Sequence, residues 1–168
     1  MATFRDLSKS RQAGYSIAEL ALVVTIVGIL AAIAIPLFMR YYQASKLGVA
    51  AQEVATVLNQ GRQMAIKENT TLCVHFTSTA MQYYVGSVVA GGACDTTPGV
   101  WKGPGTDSNG QIKASDGVTL AADSDIAFTY LGAATSTSNV TVTNSQDGQQ
   151  LRVAIAISGR INITSLGS

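Results

Sequence analysis

Few side chains in this sequence have the type and spacing to do chemistry. His75 is its single histidine, so no second imidazole is available for base or ligand work. No Cys, His or Asp cluster surrounds it in sequence, which argues against a metal site. Asp107-Ser108-Asn109-Gly110 opens like a calcium loop, but no bidentate glutamate follows at the required spacing, so the segment reads as a turn. There is no G-x-S-x-G elbow, no phosphate-cradling glycine loop and no nucleophile–base pair. An enzyme is therefore not expected, and neither is a cofactor or metal. What remains are two cysteines and one junction. Cys73 and Cys94 stand 21 positions apart and could pair or stay as buried thiols. At Gly14-Tyr15-Ser16-Ile17-Ala18-Glu19 a glycine leaves an unhindered peptide bond, an aromatic follows, and an acid comes four residues later. Cleavage after Gly14 would create an α-amine at Tyr15, and that amine and the Glu19 carboxylate could then neutralise each other in an apolar setting.

The apolar setting is written into the next segment. Leu20–Met39, LALVVTIVGILAAIAIPLFM, is twenty residues without a charge. As a helix rising about 1.5 Å per residue it spans roughly 30 Å, the thickness of a bilayer's hydrocarbon. A core helix of a soluble domain would interrupt such a run with a polar face. Arg5, Lys9 and Arg11 precede it against Asp6 alone, which keeps the N-terminus cytoplasmic and sends the chain beyond Met39 outward. An ordinary secretory signal peptide is the competing interpretation. The apolar run is too long for one, and no A-x-A-like site closes it. A carboxylate at the start of such a segment is costly and functional by default, so Glu19 is a candidate site residue.

The remainder reads as one α+β module. Leu47, Ala50, Val54, Leu58, Gly61 and Met64 recur at three- and four-residue spacing, with Gln52, Glu53, Asn59 and Arg62 between them. That is a helix to about residue 67 with one buried face. Alternating or β-branched runs predict strands over 70–77, 81–89, 126–131, 140–143, 151–157 and 161–164, forming an antiparallel sheet on which the helix packs. Ser158-Gly159 is placed to make a tight hairpin between the last two. Residues 90–125, rich in Gly, Asp, Ser and Pro, read as a long loop region. The domains expected are thus a leader over 1–14, an apolar helix over 15–39 and an outward-facing module over 40–168. Charged residues make up only 12% of the chain, about half the usual share. Residues 41–168 carry seven basic and eight acidic side chains, so no broad cationic face for nucleic acid is present.

GYSIAELALVVTIVGILAAIAIPLF resembles the class III signal peptide and first helix of the type IV pilin superfamily. The resemblance implies the pilin fold, cleavage between Gly14 and Tyr15, and N-methylation of Tyr15 by a prepilin peptidase. It also implies an assembly role for Glu19 and a proline, Pro36, at which related helices kink or melt inside filaments. Tyr15 stands where the family usually has Phe. LNQGRQMAIKENTTLCVHF, residues 58–76, and LRVAIAISGRINI, residues 151–163, resemble the GspH/FimT branch, comprising minor pseudopilins of type II secretion and minor pilins of type IV pili. The expected function is a filament subunit, inserted in the bacterial inner membrane with its domain in the periplasm. Its partners would be the prepilin peptidase, other pilins, the assembly platform and, before assembly, lipid. The oxidising periplasm favours a Cys73–Cys94 disulfide.

Two alternatives are a pilus-displayed binding module, for DNA uptake or adhesion, and a major pilin. Some FimT-like subunits bind DNA through a terminal Gly-Arg-x-Arg; here Gly159-Arg160-Ile161-Asn162 lacks the second arginine. Arg160 is the one candidate DNA contact, and phosphate affinity needs several cations acting together. DNA is therefore not an expected partner. Three Asn-x-Thr sequons, at Asn69, Asn139 and Asn162, are ordinary in a chain so rich in threonine.

Overall fold

A computed structural model describes residues 15–166, so the expected leader and Gly14 lie outside the described residues. The chain divides into two units, residues 1–40 and 41–168. Helix α1, Ile17–Lys67, contributes to both.

In the first unit Ser16 caps α1: its hydroxyl accepts the Ala18 N–H at 3.3 Å while its carbonyl takes the N–H groups of Glu19 and Leu20. Ser, with a side-chain acceptor for orphan donors, is a favoured residue at this position. Glu19 falls in the first turn, where a carboxylate is stabilised by the positive end of the helix dipole. The helix continues through Pro36, which leaves the Ala32 carbonyl without its usual donor. The segment is long and apolar enough to cross a membrane, and none of its most apolar stretch is buried in the protein.

In the second unit α1 buries Leu47, Ala50, Ala51, Val54, Val57, Leu58, Gly61 and Ala65. This is the stripe predicted by the spacing, with Met64 only partly covered. Eight strands follow: β1 Leu72–Phe76, β2 Ala80–Val85, β3 Gln111–Lys113, β4 Val118–Ala122, β5 Ile126–Phe128, β6 Ser138–Asn144, β7 Gln150–Ile155 and β8 Ile161–Ser165. All pair antiparallel, but they make two four-stranded sheets rather than one, ordered β3-β2-β1-β5 and β4-β6-β7-β8. The long loop expected over 90–125 contains β3 and β4. Neither is a long alternating run. β3 exists because Met81 of β2 pairs with Ile112, and β4 because Leu120 lies opposite Val142 of β6. Other strands stop short of their apolar runs. Gly86, at a φ of 138°, ends β2, and a turn closing on Gly132 ends β5.

One core joins the helix stripe to both sheets, centred on Leu58, Leu72, Val74, Met81, Tyr83, Ile126, Phe128, Val140, Val142 and Val153. The helix comes close to the sheet at Gly61. A Cβ there would lie 3.1 Å from Tyr83 and from Val74 and 3.4 Å from Leu72. The Tyr83 hydroxyl crosses the same gap and donates to the Val57 carbonyl at 2.8 Å. Burial pushes this phenol above its usual range. Because the folded-state value is raised, the protonated phenol's contribution to stability is present at neutral pH and lost only as pH climbs past the ordinary tyrosine range. Glu53 accepts from the Ser115 N–H and hydroxyl at 3.2 and 2.7 Å, and Gln43 bonds Asn144 and Gln146 at 3.2 and 3.3 Å. These bonds fasten the β3–β4 and β6–β7 connections to α1.

Gly61→Leu is expected to lower stability by roughly 1–3 kcal/mol through overpacking, despite the roughly 1 kcal/mol that leaving glycine adds to a helix. Denaturant melts of the purified protein in detergent measure this. An unchanged midpoint would mean that the helix is not held at this distance.

Candidate functional site

The expected site residues fall in three separate places. Tyr15 and Glu19 stand at the start of α1, exposed, and Tyr15 is 86% accessible. Among the described residues no cation lies within ion-pair distance of Glu19. It sits at the edge of a surface formed by Leu20, Val23, Val24, Val27 and Leu30, all more than half exposed. The arrangement is a carboxylate beside an apolar face.

The second place is the segment after β2. Cys73 of β1 and Cys94 are joined by a disulfide, with their Cα atoms 5.7 Å apart. A short hairpin over 87–95 carries Cys94, built by the Val88–Cys94 bridge and the Asp95 N–H to Ser87 carbonyl bond. Asp125 anchors it. Its buried carboxylate accepts the Cys94 N–H at 2.8 Å and the Phe76 N–H at 3.1 Å, and bonds His75 Nδ1 at 2.7 Å. Its own N–H donates to the Gly92 carbonyl. His75 is thus a hydrogen-bond partner of a buried structural acid. Sequence reasoning missed Asp125. The only available hint was an acid directly before the apolar run Ile126–Phe128. Among the described residues no group of three or more His, Cys, Asp or Glu side chains could hold an ion. Asp107 forms the expected turn, accepting the Gln111 and Asn109 N–H groups at 2.8 Å. The Gln111 bond is the main influence holding its carboxyl below the usual range.

The third place surrounds Arg160. The β7–β8 turn is closed by the Gly159 N–H to Ala156 carbonyl and the Ala156 N–H to Arg160 carbonyl bonds, with Gly159 at a φ of 76°. The β5–β6 turn repeats it: Gly132 N–H to Thr129 carbonyl, Thr129 N–H to Ala133 carbonyl, Gly132 at 80°. Both are three-residue hairpins that need a left-handed residue third, which glycine adopts freely. The two turns stand against each other. A Cβ on Gly159 would come 2.2 Å from the Gly132 carbonyl oxygen. That oxygen accepts Arg62 Nε of α1 at 2.7 Å. Gly159 is therefore required by packing as well as by its φ. Arg160 itself points outward and bonds Asn162 at 3.3 Å. The residue standing in for the second arginine is thus engaged with the first.

A long amphipathic helix lying on antiparallel sheets, its apolar first half left uncovered, is the pilin fold, that of a structural filament subunit and not of an enzyme. The sequence over residues 50–159 matches the family model described as type II transport protein GspH, and the chain belongs to that family. No curated protein matches by sequence. Among solved structures, the fold is similar to the type IV minor pilin FimU of Pseudomonas aeruginosa, at 13% identity and a TM-score of 0.53 over 74% of this chain and 92% of that one. The minor pseudopilin EpsH from the type 2 secretion system of Vibrio cholerae gives 15% identity and 0.51, over 73% and 99%. E. coli GspH gives 14% and 0.54, over 72% and 89%.

Asp125→Ala strands two backbone donors and the His75 ring, and is expected to cost roughly 2–4 kcal/mol. Asp125→Asn, which keeps an acceptor oxygen, should cost less. Denaturation of both variants with the disulfide intact measures the difference; equal and negligible losses would remove Asp125 as the anchor of the 87–95 hairpin.

Proposed function

We propose that this chain is a minor pseudopilin or minor pilin of a type II secretion or type IV pilus machine. It inserts in the inner membrane with its N-terminus in the cytoplasm and residues 40–168 in the periplasm. A prepilin peptidase cleaves between Gly14 and Tyr15 and methylates the new amine. The assembly platform then moves the subunit from lipid into a filament among other pilin-like subunits.

The observation that carries this reading is the uncovered apolar length of α1 with Glu19 at its edge. Such a helix is soluble only in lipid or among similar helices, and transfer between the two exchanges one apolar surrounding for another. A carboxylate entering that environment alone pays a desolvation cost of a few kcal/mol. Pairing with the Tyr15 amine of a neighbouring subunit offsets it, and does so only in the correct stagger. Charge thus gives register to an interface that apolar contact alone would leave free to slide.

Glu19→Ala and Glu19→Gln should both insert in the membrane normally, since each removes a charge from an apolar helix. Both should appear in sheared filaments at about a tenth or less of the wild-type ratio of filament to membrane protein, the loss of a buried pair costing more than 1.4 kcal/mol. The glutamine variant separates pairing from helix capping, because it keeps size and hydrogen bonding. Wild-type incorporation of Glu19→Gln would remove the charge pair from the mechanism.

A further inference from the structure

Shortly after the apolar run lies a cavity that the filament reading leaves without a role. Its volume is about 340 Å³, and it is lined by Tyr42, Ser45, Lys46 and Val49 of α1 and by Ser115 and Asp116 of the β3–β4 connection. Cavities of about 300–1,000 Å³ are the size that takes small ligands. The walls are held locally. Glu53 accepts from the Ser115 N–H and hydroxyl, which ties the Ser115-Asp116 segment to α1. Lys46 comes four residues after Tyr42, so the two share a helix face, and the lysine side chain runs back toward the helix start. Its Nζ accordingly stands 5.1 Å from the centre of the Tyr42 ring, a cation–π contact.

Two charges of opposite sign thus line one cavity without meeting. Lys46 and Asp116 are both exposed, and among the described residues neither has an oppositely charged group within ion-pair distance. With the hydroxyls of Ser45 and Ser115 and the apolar Val49 beside them, they complement a short dipolar ligand, an anion for Lys46 joined to a cation for Asp116. A free phosphate or a nucleic-acid backbone would meet Asp116 as well as Lys46 and gain no net attraction.

The place in the chain indicates where such a ligand comes from. Tyr42 follows Met39, the last residue of the uncharged run, by three residues. Three residues rise about 4.5 Å in a helix and reach at most about 11 Å when extended. The headgroup layer of a bilayer is roughly 5–8 Å deep on each side. With the run in lipid, chain connectivity alone keeps Tyr42, and the ammonium held over it, at or beside the headgroups. Tyr41 and Tyr42, 75% and 47% exposed, are of the aromatic type enriched at that depth.

We propose that this cavity holds the headgroup of a phosphoethanolamine lipid of the periplasm-facing leaflet, its phosphate on Lys46 and its ammonium on Asp116. The proposal rests on the membrane-inserted state of the function proposed above. It adds a lipid-selective site on the folded module, occupied before the subunit leaves the membrane. Asp116 makes the selection. A primary ammonium donates hydrogen bonds to a carboxylate, whereas a choline trimethylammonium has no N–H and a glycerol headgroup has no cation.

The test is native mass spectrometry of the full-length protein in detergent supplied with equal amounts of phosphatidylethanolamine, phosphatidylglycerol and phosphatidylcholine. The expected result is retention of phosphatidylethanolamine above both others. Asp116→Asn should reduce that preference about fivefold, the upper range for an exposed charge pair. Asp116→Lys should turn the preference toward phosphatidylglycerol. Lys46→Ala should lower retention of all three, because each carries the same phosphate. Both side chains are exposed, so these changes leave the core untouched. Equal retention of the three lipids by the unaltered protein overturns the site, as does a preference indifferent to Asp116→Asn or retention indifferent to Lys46→Ala. Membrane fractionation of the expressing cells separates this proposal from the one beneath it. A chain found in the membrane but without lipid preference sinks the site alone, whereas a chain found outside the membrane sinks both.

Discussion

How closely a single helix can approach two sheets governs the architecture after Arg40. The stripe from Leu47 to Ala65 is the shared wall of one core, and it includes the small residues Ala50, Ala51, Gly61 and Ala65. With Gly61 in place, the ring of Tyr83 can lie against α1 and its hydroxyl can reach the Val57 carbonyl. Bring the helix outward by the width of a methyl group and that bond is lost. The Glu53–Ser115 and Gln43–Asn144 fastenings and the Arg62–Gly132 bond would lengthen with it. Close packing of interiors makes such shifts costly rather than gradual.

That same helix carries two incompatible solvent requirements along its length. From Leu20 to Met39 it needs an apolar surrounding; from Leu47 onward one face needs a protein core and the other water. A chain built this way has no single solvent in which it is content. The physical logic of a filament subunit follows. In the proposed filament role, lipid and a bundle of similar helices would be interchangeable for the first half. Two fastenings keep the second-half module in shape, the disulfide with Asp125 and the paired turns.

The helix and its buried face were legible in the sequence because a 3.6-residue period needs no tertiary information, and Leu47, Ala50, Val54, Leu58 and Gly61 keep it without interruption. Strands β6, β7 and β8 were legible from alternation and β-branching. β3 and β4 were not, because three to five residues such as Gln111-Ile112-Lys113 carry too little pattern, and only pairing with β2 and β6 makes them strands. The split into two sheets is likewise a property of pairings between distant segments. Of the candidate residues, Glu19 stands out in the sequence because a charge beside a long apolar run is costly anywhere, and its role, like that of the Gly14–Tyr15 junction, is a proposal. Asp125 does not stand out, since an acid among loop residues looks solvated until the fold buries it. Gly159 was placed correctly in a hairpin from its type, but its contact with Gly132 depends on a turn formed by a different strand pair.

The most direct test of the filament-subunit account is the intact mass and N-terminal sequence of the protein recovered from sheared surface filaments or an overassembled pseudopilus. The account predicts a chain that begins at Tyr15, carries one additional methyl group on its α-amine and retains the whole apolar segment to Met39. A mature chain that begins beyond Met39, or one that still carries residues 1–14 within the filament, would contradict it.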